Sequence, residues 1–103
     1  DYLGKMANLA KEHGIDPILM TPLLIHVPLA EKHWLPDIDY TEVNEKLNKL
    51  RSLMLEYGNK NGARIIDAQE QFSRLYTEEN ASEYLLDGLH PTLRGHEALA
   101  GML

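Results

Sequence analysis

The stretch Pro17-Ile-Leu-Met-Thr-Pro-Leu-Leu-Ile25 decides the fold class of this chain. Its side chains are apolar at consecutive positions, which is typical of a strand that is covered on both faces of a parallel sheet. Pro22 has no N–H group to donate to a neighbouring strand, so the ladder of hydrogen bonds should end there. The sequence therefore predicts a buried parallel strand that stops near Pro22.

The segments around this strand alternate between helical and extended patterns. A second, short strand is predicted over Ala63-Arg-Ile-Ile-Asp67, with Asp67 capping the helix that follows. Apolar residues recur at helical spacing in segments predicted as helices over residues 2–13, 41–57, 68–76 and from Pro91 to the end of the chain. Residues 26–40 should form a long loop and residues 77–86 a polar connection. This order of elements predicts an α/β fold with a parallel sheet.

Capping residues set the expected helix ends, and one apolar stripe per helix sets the expected core. Gly14 should end the first helix. Thr41 or Asp39 should cap the start of the second helix, and Gly58 and Gly62 should bracket its end. The side chains expected to point inward are Val43, Leu47, Leu50, Met54 and Tyr57 in the second helix, Phe72 and Leu75 in the third, and Leu93, Leu99 and Met102 in the last.

Two strands make a sheet that is too thin to be stable by itself. The first strand is apolar enough to be central, so one of its edges should pair with a further strand. The chain also begins at Asp1, inside an apparent helix and without Met. Both observations predict that residues 1–103 form part of a single domain, and that they bind the missing N-terminal half of that domain or a second copy of the chain as a homodimer.

Composition argues against several function classes. The chain has 103 residues, of which 44% are hydrophobic and 25% charged, so it is at most one ordered domain. Its net charge of −6 argues against nucleic acid or an anionic membrane surface as a partner. No segment approaches the roughly 20 apolar residues of a transmembrane helix. The absence of Cys removes disulfides and thiolate chemistry but leaves the compartment open.

The run Asp87-Gly-Leu-His-Pro-Thr-Leu-Arg-Gly-His-Glu-Ala-Leu-Ala100 carries the candidate chemistry. A turn from Asp87 to His90 brings the two side chains together, so that the carboxylate accepts a hydrogen bond from Nδ1–H and leaves Nε2 as a base. Gly88 permits the tight turn, and Pro91 should open the last helix and keep His90 outside it. This is the acid–base half of a hydrolytic triad. The alternative is an ordinary Asp-Gly turn in which His90 caps a helix.

These residues resemble the C-terminal part of an SGNH/GDSL hydrolase, of the lysophospholipase-like and esterase branch. The run that begins at Asp87 resembles the family's last block, Asp-x-x-His followed by Pro and a helix. Ile18-Leu-Met-Thr-Pro22 resembles its fourth strand, and Asn44-Glu-Lys-Leu47 through Arg64-Ile-Ile-Asp67 resembles the helix and fifth strand that follow. The resemblance covers nearly the whole chain and implies a flavodoxin-like three-layer α/β/α sandwich with parallel strands.

The resemblance implies a serine ester hydrolase that acts on a small acyl ester and needs no cofactor or metal. Asp87 and His90 match the family's acid–base pair. The nucleophile lies in an N-terminal Gly-Asp-Ser block of the family, and this sequence contains neither that block nor a Gly-x-Ser-x-Gly elbow. The resemblance therefore implies that the isolated chain is inactive and that the complete protein supplies the Ser.

The long loop supplies further candidate substrate contacts. In the family this region borders the acyl pocket, so Trp34, His26 and His33 are candidate pocket walls, and Leu89 is a second candidate for substrate binding beside Trp34. Trp is usually well buried, which slightly favours the alternative that Trp34 packs as the core of the loop.

Three other interpretations compete with an ester hydrolase. A metal site formed by Asp87, His90 and His96 is disfavoured, because the two His are six residues apart and helical zinc motifs use three or four; His96 more simply faces solvent. A nucleotide or flavin binder is disfavoured because no Gly-rich phosphate loop is present. A non-catalytic fragment or interaction module that retains the fold is the main alternative.

Overall fold

A computed structural model describes residues 2–103 of the chain. In chain order its elements are α1 (Tyr2–Glu12), β1 (Ile18–Met20), α2 (Val27–His33), α3 (Tyr40–Asn61), β2 (Arg64–Ile66), α4 (Ala68–Ser73), a 3-10 turn (Ala81–Glu83) and α5 (Leu93–Ala100). The predicted α/β class is confirmed. Gly14 follows α1 with a φ of 74°, as its predicted role at the helix end requires.

The two strands pair in parallel, with Ile18 opposite Arg64 and Met20 opposite Ile66. One more backbone hydrogen bond, 3.0 Å from Thr21 N to Ile66 O, extends the pairing to the residue before Pro22. The ladder then ends, as the missing N–H of proline predicts. Within residues 2–103 the sheet has two strands, so the three-layer sandwich stays a prediction.

Helix α3 begins where the sequence predicts and extends one turn further. Asp39 is its N-cap and accepts a 3.0 Å hydrogen bond from Glu42 N. The predicted last residue, Tyr57, is wrong, because the helix continues through Gly58, a close-packing position where an added Cβ would collide with Ile65. The helix ends at Asn61, and Gly62, the second of the two glycines predicted to bracket its end, is the C-cap with a φ of 64°. No helix within residues 2–103 combines the length and the apolar character needed to cross a membrane.

The predicted loop over residues 26–40 is wrong in its first half, because Val27–His33 form the helix α2. His26 is its N-cap, with an extended backbone and a ring nitrogen that accepts from Leu29 N. Pro28 occupies the first turn, where its missing N–H removes no intrahelical hydrogen bond. The helix is short, and His is not among the usual N-cap residues, so no local sequence pattern indicates it.

Phe72 of α4 and Leu85, just after the 3-10 turn, are the largest fully buried side chains, and with Ala81 and Gly95 they form a core between α4, the 3-10 turn and α5. Phe72 points inward as predicted. Two other predicted core positions are wrong: Leu75 lies beyond the end of α4 and is 37% exposed, and Leu93 is 76% exposed. On α5 the inward position is Gly95, where an added Cβ would collide with the carbonyl of Tyr84.

The start of α5 also differs from the prediction. Pro91 does not open the helix but forms an antiparallel bridge with Leu85. Thr92 is the N-cap, and its hydroxyl accepts a 3.1 Å hydrogen bond from Gly95 N. Residue 91 is therefore held in extended pairing, and the helix begins two residues later than expected.

Five large apolar side chains on or next to α1 and α3 remain exposed. On α1 they are Met6 (66% exposed) and Leu9 (57%), with Ile15 (59%) shortly after the helix; on α3 they are Leu50 (43%) and Leu53 (54%). We call these five residues the open apolar surface. The predicted stripe of α3 is therefore buried at Met54 but not at Leu50. The reason is that two strands of three residues lie beneath a helix of 22 residues and cover only part of it.

Candidate active site

The loop that carries Asp87 and His90 is closed at its base. Leu86 N donates a 2.7 Å hydrogen bond to His90 O, and the bridge between Leu85 and Pro91 continues the pairing into the core. Because the Leu85 side chain is fully buried, this base is fixed to the packed part of the protein. Residues 86–90 therefore form a short projecting loop on a rigid support.

Gly88 lies at the tip of this loop and presses against the first turn of α2. Its φ is 91°, and an added Cβ would lie 2.7 Å from both His26 O and Ala30 N. Its carbonyl accepts a 3.0 Å hydrogen bond from His26 N. Glycine is therefore required at this position for two reasons, the positive φ and the close approach of α2.

Asp87 accepts three hydrogen bonds through its two carboxylate oxygens. Oδ1 receives the backbone N–H groups of Leu89 at 2.9 Å and His90 at 2.8 Å. Oδ2 lies 2.8 Å from Nδ1 of His90, so the predicted contact within the pair is present. Burial acts to raise the pKa of Asp87, but the hydrogen bonds from His90 and Leu89 outweigh it and hold that pKa well below its usual value. The carboxylate is therefore ionised at neutral pH.

The two members of the pair differ in exposure. The side chain of Asp87 is 16% exposed, whereas that of His90 is 64% exposed. An ionised Oδ2 requires a proton on Nδ1 of His90, so in the neutral ring the lone pair is on Nε2. That nitrogen has no hydrogen-bond partner within residues 2–103. The arrangement is chemically suited to accept a proton from an incoming hydroxyl group.

Trp34 lies beside His90 rather than in the core. Their ring centroids are 6.0 Å apart with planes inclined at 33°, and Trp34 is 46% exposed. The favoured expectation of a buried Trp34 is therefore wrong. Its backbone N–H still bonds to Ala30 O at 2.8 Å, so the end of α2 fixes its position next to the loop. The helix α2, which the sequence did not reveal, is what brings residue 34 to residue 90.

Leu89 lies on a separate apolar groove. It is 36% exposed and lines a groove of about 380 Å³ together with Leu23, Leu24, Ile25, Val43 and Leu47. The groove joins the segment after β1 to the first turns of α3. Leu89 adjoins both Gly88 and His90 in sequence, so the groove reaches the projecting loop.

A second His–carboxylate pair is formed by His26 and Glu78, with Nε2 and Oε2 3.0 Å apart. It differs from the first pair in that His26 is buried and its Nδ1 accepts from Leu29 N. Both ring nitrogens are therefore engaged, and neither is open to a substrate. The other two predicted histidines, His33 and His96, are exposed. Within residues 2–103 no group of three or more His, Asp or Glu residues is arranged to hold a metal ion.

Asp67 is the N-cap residue of α4, as predicted, but its side chain makes no capping hydrogen bond. Its carboxylate instead accepts from Arg51, with Nε to Oδ1 at 2.8 Å, and from the hydroxyl of Thr21 at 3.1 Å. The hydrogen bond from Arg51 is the main cause that lowers the pKa of Asp67. The first turn of α4 is instead satisfied by Thr21, directly after β1, whose hydroxyl accepts a 2.9 Å hydrogen bond from Gln69 N.

The fold is shared with a protein of known structure. A GDSL-like lipase from Bacteroides thetaiotaomicron matches with a TM-score of 0.72 and 21% sequence identity, over 97% of this chain and 46% of that chain. The chain therefore has the fold of a C-terminal portion of an SGNH/GDSL protein, and it spans about half the length of that structure. No family model and no curated protein matches the sequence.

Proposed function

We propose that the complete protein is a serine ester hydrolase of the GDSL type, to which this chain contributes the acid–base pair. One observation carries the proposal: an exposed imidazole, with a free Nε2, is held through Nδ1 by a largely buried carboxylate 2.8 Å away. The fold shared with a GDSL-like lipase supports it. An ordinary turn with a capping His would account for the two backbone hydrogen bonds to Oδ1 but not for the contact of Oδ2 with Nδ1 of His90, and the N-cap of α5 is Thr92 rather than His90.

In the proposed reaction, Nε2 of His90 takes the proton from a Ser hydroxyl as its oxygen attacks the ester carbonyl. The tetrahedral intermediate collapses, and the imidazolium gives that proton to the departing alcohol. A water molecule then repeats the sequence on the acyl-enzyme, which releases the acid and regenerates the Ser. Asp87 orients the ring and stabilises the imidazolium, and acid–base help of this kind contributes about 10²–10⁴-fold to the rate.

The nucleophile in this proposal comes from outside the chain. The hydroxyls of Ser52 and Ser73 donate to the carbonyls of Asn48 and Glu70 in their own helices. No Ser within residues 2–103 is hydrogen-bonded to His90. The 103-residue chain by itself should therefore not hydrolyse esters.

We assign the substrate contacts to Trp34 and Leu89. Trp34 offers an exposed aromatic face beside the reacting imidazole. Leu89 belongs to the apolar groove behind the loop, where an acyl chain would be removed from water. Both positions suit a small apolar acyl group.

We further propose that residues 1–103 belong to a single domain whose N-terminal half covers the open apolar surface. Leu3 of α1 lines one groove together with Leu50 and Leu53 of α3, and apolar side chains this exposed are a typical sign of a surface that another segment buries. A second copy of the chain is the alternative occupant. A non-catalytic module with this surface as its interface is the competing function.

The complete protein tests this proposal. His90→Ala should reduce the hydrolysis of a p-nitrophenyl ester by at least about 100-fold, because the proton acceptor is lost. His96→Ala is the matched control, since His96 is exposed, and it should retain activity. A fluorophosphonate should label a Ser in the complete protein and leave the 103-residue chain unlabelled. Near-normal activity of His90→Ala would falsify the assignment, and an unlabelled complete protein would favour the non-catalytic module.

A further inference from the structure

We propose that His26 is a positioning residue for the Asp87–His90 pair, and that it acts as a neutral imidazole with its proton on Nε2. Its catalytic consequence rests on the function proposed above, whereas its tautomer and its contacts do not. His26 is buried and outside the candidate reaction centre, and both of its ring nitrogens are engaged.

The ring of His26 joins two separate parts of the chain. Nδ1 accepts from Leu29 N in the first turn of α2 at 3.4 Å, which requires an unprotonated Nδ1. Nε2 lies 3.0 Å from Oε2 of Glu78, an acceptor that requires a proton on Nε2. Tyr76 packs edge-on against the ring, with centroids 6.0 Å apart. These contacts define one tautomer and fix the start of α2 to the segment that follows α4.

The backbone of His26 contacts the catalytic loop directly. Its N–H donates to Gly88 O, and its carbonyl oxygen would lie only 2.7 Å from a Cβ added at Gly88. Gly88 adjoins Asp87, whose carboxylate organises the next two residues of the loop. A shift of residue 26 therefore moves Gly88 and, with it, the carboxylate that holds His90.

The other end of α2 contacts the same loop. Trp34, directly after the last residue of the helix, lies beside the ring of His90. One short helix therefore supports the loop at the tip through residue 26 and at the imidazole through residue 34. Seven residues are few for an independent helix, so its position depends on the fixed cap.

Substitutions at residues 26 and 78 distinguish the roles of the two ring nitrogens. His26→Asn retains a side chain that can cap α2 but has no Nε2–H for Glu78. Glu78→Gln retains an acceptor oxygen for Nε2–H of His26, whereas Glu78→Ala does not. The neighbouring Glu79 is exposed and makes no side-chain hydrogen bond within residues 2–103, so Glu79→Ala is a matched control.

The test uses the complete protein labelled with ¹⁵N-histidine. We expect ring-nitrogen resonances that identify His26 as the Nε2–H tautomer, and we expect His26→Ala to broaden or remove the Nδ1–H resonance of His90. In activity assays, His26→Ala and Glu78→Ala should lower kcat by about 10- to 100-fold with little change in KM. Glu78→Gln should recover most of that loss, and Glu79→Ala should match the wild type.

An Nδ1–H tautomer for His26, or an unchanged His90 resonance in both His26→Ala and Glu78→Ala, would overturn the proposal whether or not the protein hydrolyses esters. If His26→Ala fails to fold, Glu78→Ala decides, because Glu78 is 80% exposed and its loss leaves the core intact. Unchanged kcat in Glu78→Ala would also overturn it. A wild-type protein without esterase activity, but with the predicted tautomer and coupled resonance, would reject the proposed function and leave the positioning role supported.

Discussion

The indole of Trp34 and the imidazole of His90 lie with their ring centroids 6.0 Å apart. Trp34 is the only tryptophan of the chain, so its fluorescence reports on this neighbour. Because the imidazole lies against part of the indole, which is itself 46% exposed, we expect His90→Ala to expose the indole further to water. Its steady-state emission maximum should therefore move to longer wavelength at constant pH.

The control is His33→Ala, since His33 adjoins Trp34 in sequence but is exposed at the end of α2. The control should keep the wild-type emission spectrum. If His90→Ala leaves the emission maximum unchanged, the two rings are not neighbours in solution.

Replacement of Gly88 by Ala tests how tightly α2 supports the catalytic loop. The new Cβ would meet the backbone of His26 and Ala30, which cannot rotate away. Gly14→Ala is the matched control, because Gly14 also has a positive φ but nothing lies within 4 Å. We expect urea denaturation to show a loss of about 1–2 kcal/mol for the control and about 2–5 kcal/mol for Gly88→Ala. Equal losses would show that the approach of α2 is loose.

The lowered pKa of Asp87 predicts a pH-dependent contribution to stability. The native-state pKa lies below the unfolded value of about 4, so the contribution is fully present above about pH 4 and is lost as the pH falls through the native-state pKa. The difference in free energy of unfolding between wild type and Asp87→Asn should therefore be largest near neutral pH and shrink below about pH 4.

Chemical denaturation at a series of pH values measures this difference. Asp37→Asn serves as the control, since Asp37 is exposed and makes no side-chain hydrogen bond within residues 2–103; it should remain within about 0.5 kcal/mol of the wild type. A difference for Asp87→Asn that is constant with pH would contradict the hydrogen-bonded carboxylate.

The open apolar surface predicts that the 103-residue chain associates with itself when nothing else covers this surface. Met6→Glu combined with Leu53→Glu should shift the chain towards the monomer in light scattering, because burial of each side chain contributes about 1.5–3 kcal/mol. Leu93→Glu is the control, since Leu93 is exposed on α5, outside this surface. A wild-type chain that stays monomeric at high concentration would argue against the proposed interface.

The parts of the fold that could be predicted from sequence depend on local signals. The apolar run before Pro22 and the cap at Asp39 were enough to place β1 and the start of α3. The sequence could not decide which of Gly58 and Gly62 ends α3, because the close approach of Gly58 to Ile65 exists only after folding. Leu93 was misplaced because its neighbour Gly95, and not an apolar side chain, faces Tyr84.

The same distinction applies to the candidate site. Asp87 and His90 are three residues apart, so their contact follows from the turn between them. The proximity of Trp34 to His90, and of His26 to Gly88, depends on α2, which returns residues 26–34 to a loop more than fifty positions later in the chain. No local sequence pattern predicts this long-range contact. The helix α2 itself was not predicted because His is an unusual N-cap residue.

Thr21 has a consequence for how the two strands find their alignment. Its buried hydroxyl both donates to Asp67 and accepts from Gln69 N, at the point where each strand has just ended. If β1 slipped by one residue in either direction, Met20 or Pro22 would stand there, and neither carries a hydroxyl to satisfy the two groups. The Thr21 hydroxyl oxygen thus makes a shifted strand register less stable than the native one. The few backbone hydrogen bonds of this short sheet would distinguish poorly between the two registers by themselves.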